Sequence, residues 1–363
     1  MDNIPWIEKY RPRKLEEIVQ DENLIKLLKN SVKLEDIPHF LFYGPPGSGK
    51  TSAILTIGRE IFGEYFSSRV IEFNASDDRG INAVREKIAN EAKKYVSEII
   101  DANGRKIPSY KIIVLDEADS MTDEAQDALR VIIEQYSTVT RFCFICNYIS
   151  KITDAIKSRC SIVYFKRLDR QCMIGKLKEI SAKESIYIGE NIFDTIINVS
   201  EGDMRKAIML LQNVKYLYSY KIFMKKQIME MNMDELRAIS KCMINIESTT
   251  EIIEDDVYEI AACISNRKAN EIIIETLNCK NIVEVLKLAK KVLSMGYPVD
   301  NMLIQLNRTI LCSKDFNELE KAKIIRYSGN VLLRLKESAN EYIQLVDYLS
   351  SIYGIKNGLA CYG

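Results

Sequence analysis

Gly44-Pro-Pro-Gly-Ser-Gly-Lys-Thr51 fits the spacing G-x-x-x-x-G-K-[ST], directly after the apolar run Phe40 to Tyr43 and before the helical run Ser52 to Ile61. That pattern is built for phosphate. Gly44, Gly47 and Gly49, with Pro45, Pro46 and Ser48 between them, let a loop wrap an anion with inward-facing N–H groups, and the following helix start adds partial positive charge. Lys50 reaches the β and γ phosphates, the Thr51 hydroxyl ligates Mg²⁺, and Ser52 continues the helix beside the nucleotide. A second cluster, Ile112-Ile-Val-Leu-Asp-Glu-Ala-Asp119, sets two carboxylates at the end of a buried strand, where open α/β sheets bind ligands. Asp116 is suited to the Mg²⁺ shell and Glu117 to polarising an attacking water, which is hydrolysis rather than transfer. Capping the next helix is the alternative role for acids here, and Asp119 and Asp123 fit it. Asn147 follows the apolar run Phe142 to Cys146, so it reaches the same edge, either as an ordinary polar loop residue or as an amide that orients water or γ-phosphate.

These side chains need a frame. Five apolar runs punctuate the first 165 residues: Phe40 to Tyr43, Val70 to Phe73, Ile112 to Leu115, Phe142 to Cys146 and Ile162 to Phe165. Nearly continuous β-branched and aromatic runs, separated by helical patterns, indicate strands buried on both faces of a parallel sheet. The expected fold class is α/β over residues 1–165. A small helical domain is expected over 166–230, on the spacing of Met173, Leu177, Ile180 and Ala207, Ile208, Leu211. An all-α domain is expected over 231–363, on the stripes Val283, Leu286, Ala289, Leu293 and Leu332, Leu335, Ala339, Tyr342.

Composition narrows the classes. With 363 residues, 47% apolar and 28% charged, the chain reads as folded and multidomain. Its 51 basic and 51 acidic residues cancel, so any nucleic-acid contact is a local patch rather than a global field. Residues 166–230 hold 12 Lys and Arg against 8 acids, a mild excess. The start has no signal-peptide pattern and no apolar run nears the about 18 residues of a membrane span, so a soluble intracellular protein is expected. Nine Cys then read as reduced side chains. Cys143 and Cys146 have CxxC spacing, but three residues apart on a strand they face opposite ways, and the chain has a single His.

The motifs together resemble the AAA+ P-loop ATPases, and further strings resemble the replication factor C family of sliding-clamp loaders, through its small subunits. Trp6-Ile-Glu-Lys-Tyr-Arg-Pro12 is similar to that family's N-terminal box, Asn74-Ala-Ser-Asp-Asp-Arg-Gly-Ile81 to the box after the second strand, Phe144-Ile-Cys-Asn-Tyr148 to sensor 1, Ser158-Arg-Cys160 to the trans-acting arginine finger, and Gly202-Asp-Met-Arg205 to sensor 2. The motif match runs over roughly residues 5 to 212. The resemblance implies an AAA+ domain with a five-stranded parallel sheet, a helical lid and a helical collar. It implies an ATPase using ATP and Mg²⁺ in a hetero-pentamer that opens a ring-shaped clamp and loads it on primer-template DNA.

By the same resemblance Tyr10, Arg11, Pro12, Ile18 and Val19 lie near the adenine, Met204 and Arg205 touch the nucleotide, Asn147 becomes a sensor, and Asn74 holds Glu117 away from water until DNA binds. Arg159 acts on a neighbour's nucleotide, a contribution worth about 10³ to 10⁵ in rate where such fingers operate. Arg79, Arg85 and Lys151 grip DNA phosphates without reading bases. The segment from Ser97 to Tyr110 faces the clamp. One departure is Val131, where the family continues with a second Arg. A nuclear location follows if the source is eukaryotic, a cytoplasmic one if archaeal or viral. A branch-migration motor of the same superfamily and a non-hydrolysing scaffold subunit are the rival readings; the N-terminal box and Ser158-Arg-Cys160 oppose the first, and intact Lys50, Asp116 and Glu117 oppose the second.

Overall fold

The computed structural model describes residues 4–33, 37–75, 81–97, 99–100, 106–230 and 252–357. By contacts the chain forms two compact units, one of residues 1–187 and 200–212, the other of 188–199 and 213–363.

The first unit is built on five parallel strands in the order β2-β5-β6-β1-β7: β1 (Phe40–Tyr43), β2 (Val70–Asn74), β5 (Lys111–Asp116), β6 (Thr140–Cys146) and β7 (Ser161–Tyr164). A short antiparallel pair, β3 (Ile99–Ile100) and β4 (Lys106–Ile107), lies apart. The apolar runs are these strands, shifted by at most two residues at an end. Both faces are covered. Phe40, Phe42, Val114 and Cys143 pack with Ala53, Ile54, Ile57 and Ile61 of helix α3 (Lys50–Phe62). Leu41, Ile113, Leu115, Phe144 and Cys146 pack with Ile88 of α5 (Ile81–Lys93) and Leu129, Ile132 and Ile133 of α6 (Asp123–Tyr136). Period-2 alternation thus sends Cys143 and Cys146 into different cores. Groups of three or more His, Cys, Asp or Glu placed to hold a metal are absent among the described residues.

Register decides where the chemistry sits. Phe40 pairs with Cys143 and Ser161, Tyr43 with Cys146 and Tyr164, and Asn74 with Asp116. Because all five strands run the same way, the residues after their ends, Gly44, Glu117 and Asn147, emerge along one edge with Asn74 and Asp116. Helix α3 opens there, straight after Gly49, whose φ of +90° glycine adopts without strain. Near the chain start lie α1 (Trp6–Lys9) and α2 (Glu22–Lys33), and the short α4 (Phe66–Arg69) leads into β2. Later come α7 (Asp154–Lys157), α8 (Arg170–Lys183, capped by the Asp169 carboxylate) and α9 (Glu190–Ser200). The long α10 runs Met204–Glu230. Met173, Leu177, Ile180, Ala207, Ile208 and Leu211 are buried as their spacing predicts.

In the second unit the described helices after α10 span Glu254–Ile260, Asn266–Asn278, Ile282–Leu293, Val299–Cys312, Glu318–Lys336 and Glu341–Lys356. Their core differs from the expected stripes. In Ile282–Leu293 the buried face is Val285, Leu288, Ala289 and Val292, whereas Val283 is 54% exposed. The helix carries apolar residues on several faces, and it begins at the Asn281 cap, whose side chain accepts from Glu284 N–H. The stripe Leu332 to Tyr342 is broken, since its helix stops at Lys336 and Ser338 turns with φ +67°. Leu332, Leu335 and Tyr342 pack against the core from two different helices. Among the described residues no helix is long and apolar enough to cross a membrane.

Candidate active site

Three glycines with positive φ shape the loop. A Cβ on Gly44 (φ +146°) would lie 2.1 Å from the Phe165 carbonyl oxygen, and one on Gly47 (φ +69°) 2.0 Å from Asp203 Oδ1. Only glycine permits these approaches. Lys50 is buried, its ammonium donating to the Gly44 carbonyl at 2.7 Å, the Pro45 carbonyl at 2.8 Å and Asn147 Oδ1 at 3.1 Å. Burial first, and the charge of Arg205 second, push its pKa down to about 8. A cation so desolvated gains most from an arriving anion. The Thr51 hydroxyl donates to Asp116 Oδ2 at 2.8 Å. Hydroxyl and carboxylate side by side are a hard oxygen pair of the kind that fits Mg²⁺.

Glu117 leaves the strand with φ 55°, a left-handed backbone unusual for a side-chain-bearing residue, and its N–H donates to Asp116 Oδ1 at 2.8 Å. Strain of this kind gathers at functional sites. The side chain is exposed at the sheet edge, one residue past Asp116, which Asn74 pairs with in the neighbouring strand.

Next to the loop is an open cleft. Tyr10, Arg11, Pro12, Ile18, Val19, Gly47, Ser48, Gly49, Ser52, Met204 and Arg205 line it, together with Ile7, Glu17, Leu168, Lys176 and Ile208. Gly44, Pro45, Pro46, Lys50, Thr51 and Asn147 are not in the lining; Gly44 and Pro45 instead offer their carbonyls to Lys50. The N-terminal box is fastened by side chains. Tyr10 and Lys9 both donate to Glu184, and Trp6 N–H donates to Gln212 Oε1 at 3.2 Å. The Gln20 amide joins the Ser48 carbonyl (3.0 Å) to the Lys166 carbonyl (2.9 Å), tying the loop to the exit of β7.

Two acids play parts that local sequence hid. Asp119 does not cap α6. Its Oδ2 accepts the N–H groups of Asn147 and Tyr148, both at 3.3 Å, while Thr122 caps the helix with its side-chain oxygen on Ala125 N–H. Asp203 caps α10 by accepting from Arg205 N–H at 2.8 Å, against Gly47. From α6, buried Gln126 accepts from Thr153 N–H at 2.8 Å and donates to the Lys151 carbonyl at 2.9 Å, so the loop after Asn147 is held at both ends.

Arg159, just past α7, is not in the cleft lining and pairs with Glu134. Lys151 is exposed with its ammonium 5.8 Å over the Tyr148 ring. Arg79 lies outside the described residues, as does the side chain of Arg85 on α5, and the segment from Ser97 to Tyr110 is described only at its ends. Both ends are held by Arg69, fully buried, which donates to the Ser97 carbonyl at one and to the Pro108 and Tyr110 carbonyls at the other.

A phosphate loop opening a helix, an Asp-Glu strand end and a polar residue from the adjacent strand, on a five-stranded parallel sheet, define a nucleotide-binding ATPase domain. The family model for ATPases associated with various cellular activities matches residues 40–168, and that for the replication factor C C-terminal domain matches 264–351. The chain is similar to a putative replication factor C small subunit of Acanthamoeba polyphaga mimivirus, 63% identical over 97% of each chain, and to replication factor C subunit 2 of Schizosaccharomyces pombe, 37% identical over 96% of this chain and 94% of the relative. Among solved structures, a Thermotoga maritima RuvB variant matches with a TM-score of 0.50 at 17% identity, over 82% of this chain and 92% of that one, a likeness of fold alone. The chain belongs to the replication factor C small-subunit family, the AAA+ clamp-loader subunits of DNA replication.

Proposed function

We propose that this subunit binds ATP and Mg²⁺ at the Gly44–Thr51 loop and hydrolyses ATP within a hetero-pentameric ring, so that a sliding clamp is opened and then released on primer-template DNA. One observation carries the reading: two hydrogen-bonded pairs, Lys50 with Asn147 and Thr51 with Asp116, stand at the strand ends on consecutive residues of the phosphate loop, and Arg205 lines the cleft next to that loop. Thr51 and Asp116 would hold Mg²⁺, which would supply charge neutralisation at the phosphates. Lys50 and Arg205 bring cations to the phosphates, Asn147 orients the attacking water or γ-phosphate, and Glu117 polarises that water. Asn74 holds Glu117 in reserve until DNA is bound. Tyr10, Arg11, Pro12, Ile18 and Val19 enclose the base.

Arg159 serves the neighbouring site, a role supported by the likeness of Ser158-Arg-Cys160 to the family's trans-acting finger. Arg79, Arg85 and Lys151 take DNA phosphates, and DNA and clamp stimulate turnover. The operative division is an ATPase domain (1–165), a lid (166–230) and a collar (231–363). The nucleus is the site of action for a eukaryotic source, the cytoplasm for an archaeal or viral one.

Reconstituted complex carrying Lys50→Ala or Arg159→Ala should fail to load clamp. Loading at the normal rate with either variant overturns the proposal, and ATP turnover unchanged by Glu117→Gln would leave a non-hydrolysing scaffold.

A further inference from the structure

Arg159 is engaged through all three of its guanidinium nitrogens. Nε donates to Glu134 Oε1 at 2.8 Å, Nη2 donates to the same oxygen, and Nη1 donates to the Ala155 carbonyl at 2.7 Å and to Ser158 Oγ at 3.0 Å. Glu134 sits in the last turn of α6. One turn earlier on the same helix, Arg130 Nε lies 3.8 Å from that same carboxylate oxygen.

We propose that Glu134 is a latch that holds Arg159 on its own subunit, and that the carboxylate passes to Arg130 when Arg159 is drawn to a neighbour's nucleotide phosphates. The inference rests on the reading of Arg159 as a trans-acting finger and adds what restrains it.

Geometry favours restraint over orientation. The Nε and Nη2 edge of a guanidinium is a fork that grips oxyanions side-on, and here Glu134 occupies that edge. A carboxylate meant to aim the finger would take the opposite edge and leave the fork free. Carboxylate and phosphate therefore compete for the same donors. Release does not strand the acid, because Arg130, at i and i+4 with Glu134, is already within ion-pair distance. Both partners are partly solvated, Glu134 47% and Arg159 32% exposed, so the pair is weak enough to break in every cycle. A phosphate group with its larger charge outbids it; a chance anion in solution, screened by salt, does not.

The test compares complexes assembled with wild-type chain, Glu134→Gln, Arg159→Ala and the double variant. The readouts are equilibrium affinity for a non-hydrolysable ATP analogue at the site facing Arg159, and steady-state ATPase. Glu134→Gln should tighten analogue binding two- to fivefold, the equivalent of about 0.5–1 kcal/mol for a partly exposed pair. It should do nothing when Arg159 is already Ala. A loss of packing alone would weaken binding, so the sign separates a latch from a structural role. Arg130→Gln should shift affinity the opposite way, and unchanged affinity there removes the hand-over. If Arg159→Ala weakens binding while Glu134→Gln leaves it unchanged or weaker, the latch is wrong and the finger stands. If Arg159→Ala changes neither affinity nor turnover, the finger reading falls and the latch with it.

Discussion

Gly47 offers a test of how the phosphate loop is joined to the start of α10. Substituting Ala puts a Cβ 2.0 Å from Asp203 Oδ1, 2.6 Å from its Cγ and 2.9 Å from Met204 N, at a φ of +69°. The left-handed backbone costs about 1–2 kcal/mol. Overpacking against Asp203 adds about 1–3 kcal/mol, because that carboxylate is tied to Arg205 N–H and cannot swing aside freely. Gly47→Ala should therefore destabilise its unit by about 2–5 kcal/mol, a fall of roughly 5–15 °C in Tm for about 200 residues. Gly49→Ala is the control. Its φ is +90°, but the nearest atom to the new Cβ is Ile18 Cγ2 at 3.9 Å, so only the backbone strain applies. A second control is Asp203→Ala, which loses the cap at about 1 kcal/mol. Combined with Gly47→Ala it removes the two worst contacts, so the double variant should be more stable than the sum of the singles by at least about 1 kcal/mol. Differential scanning calorimetry on the four proteins decides. Equal losses for Gly47→Ala and Gly49→Ala, with strict additivity in the double variant, would falsify the claim that loop and α10 are in forced contact.

Two predictions concern protons. Burial first, and the charge of Arg141 second, push the pKa of His39 down to about 4, and its Nδ1 accepts the Phe142 N–H at 3.1 Å. An unfolded chain binds the proton near about 6.5, so stability is unaffected above that pH and falls as pH drops from about 6.5 to about 4, by roughly 2–3 kcal/mol. Thermal unfolding of His39→Gln across that window should be flatter than wild type, and parallel curves would refute the assignment. Lys50, at about 8, should take up a proton when a triphosphate binds at pH 8.5 to 9 and none at pH 7, since the bound anion favours the ammonium form. Calorimetric titration with ATP in buffers of different ionisation enthalpy measures this directly, and no buffer dependence at pH 9 would sink it.

The sheet was legible because parallel strands covered on both sides read as unbroken apolar runs, and Phe40 to Tyr43 needs no partner to look buried. The loop was legible because its chemistry is contiguous in sequence. What escaped acts at a distance. Asp119 looks like any acid before a helix, yet its partners are 28 and 29 residues away. Gln20 reaches Lys166 across 146 residues, with nothing local to mark it. In the second unit the failure was of phase. Ile282, Val283, Val285, Leu286 and Leu288 satisfy helical spacing on more than one face, so periodicity alone could not choose the inner one. The stop at Lys336 lacks Gly or Pro, the residues that usually announce one.

Helix α6 gives these distant contacts a common carrier. It follows the Asp116-Glu117 strand end by one short turn, holds the loop beyond Asn147 through Gln126 at its start, and holds Arg159 through Glu134 at its end. These 14 residues contain no Pro or Gly, so no kink-forming residue separates the nucleotide edge from Glu134. Midway along lies Val131, 54% exposed. A side chain without charge there leaves Arg130 and Glu134 as the charged pair of that turn, and so concentrates any exchange of partners on Arg159. Coupling between one site and the next would then run through a single carboxylate with two arginines in reach, an arrangement with two discrete states rather than a graded one.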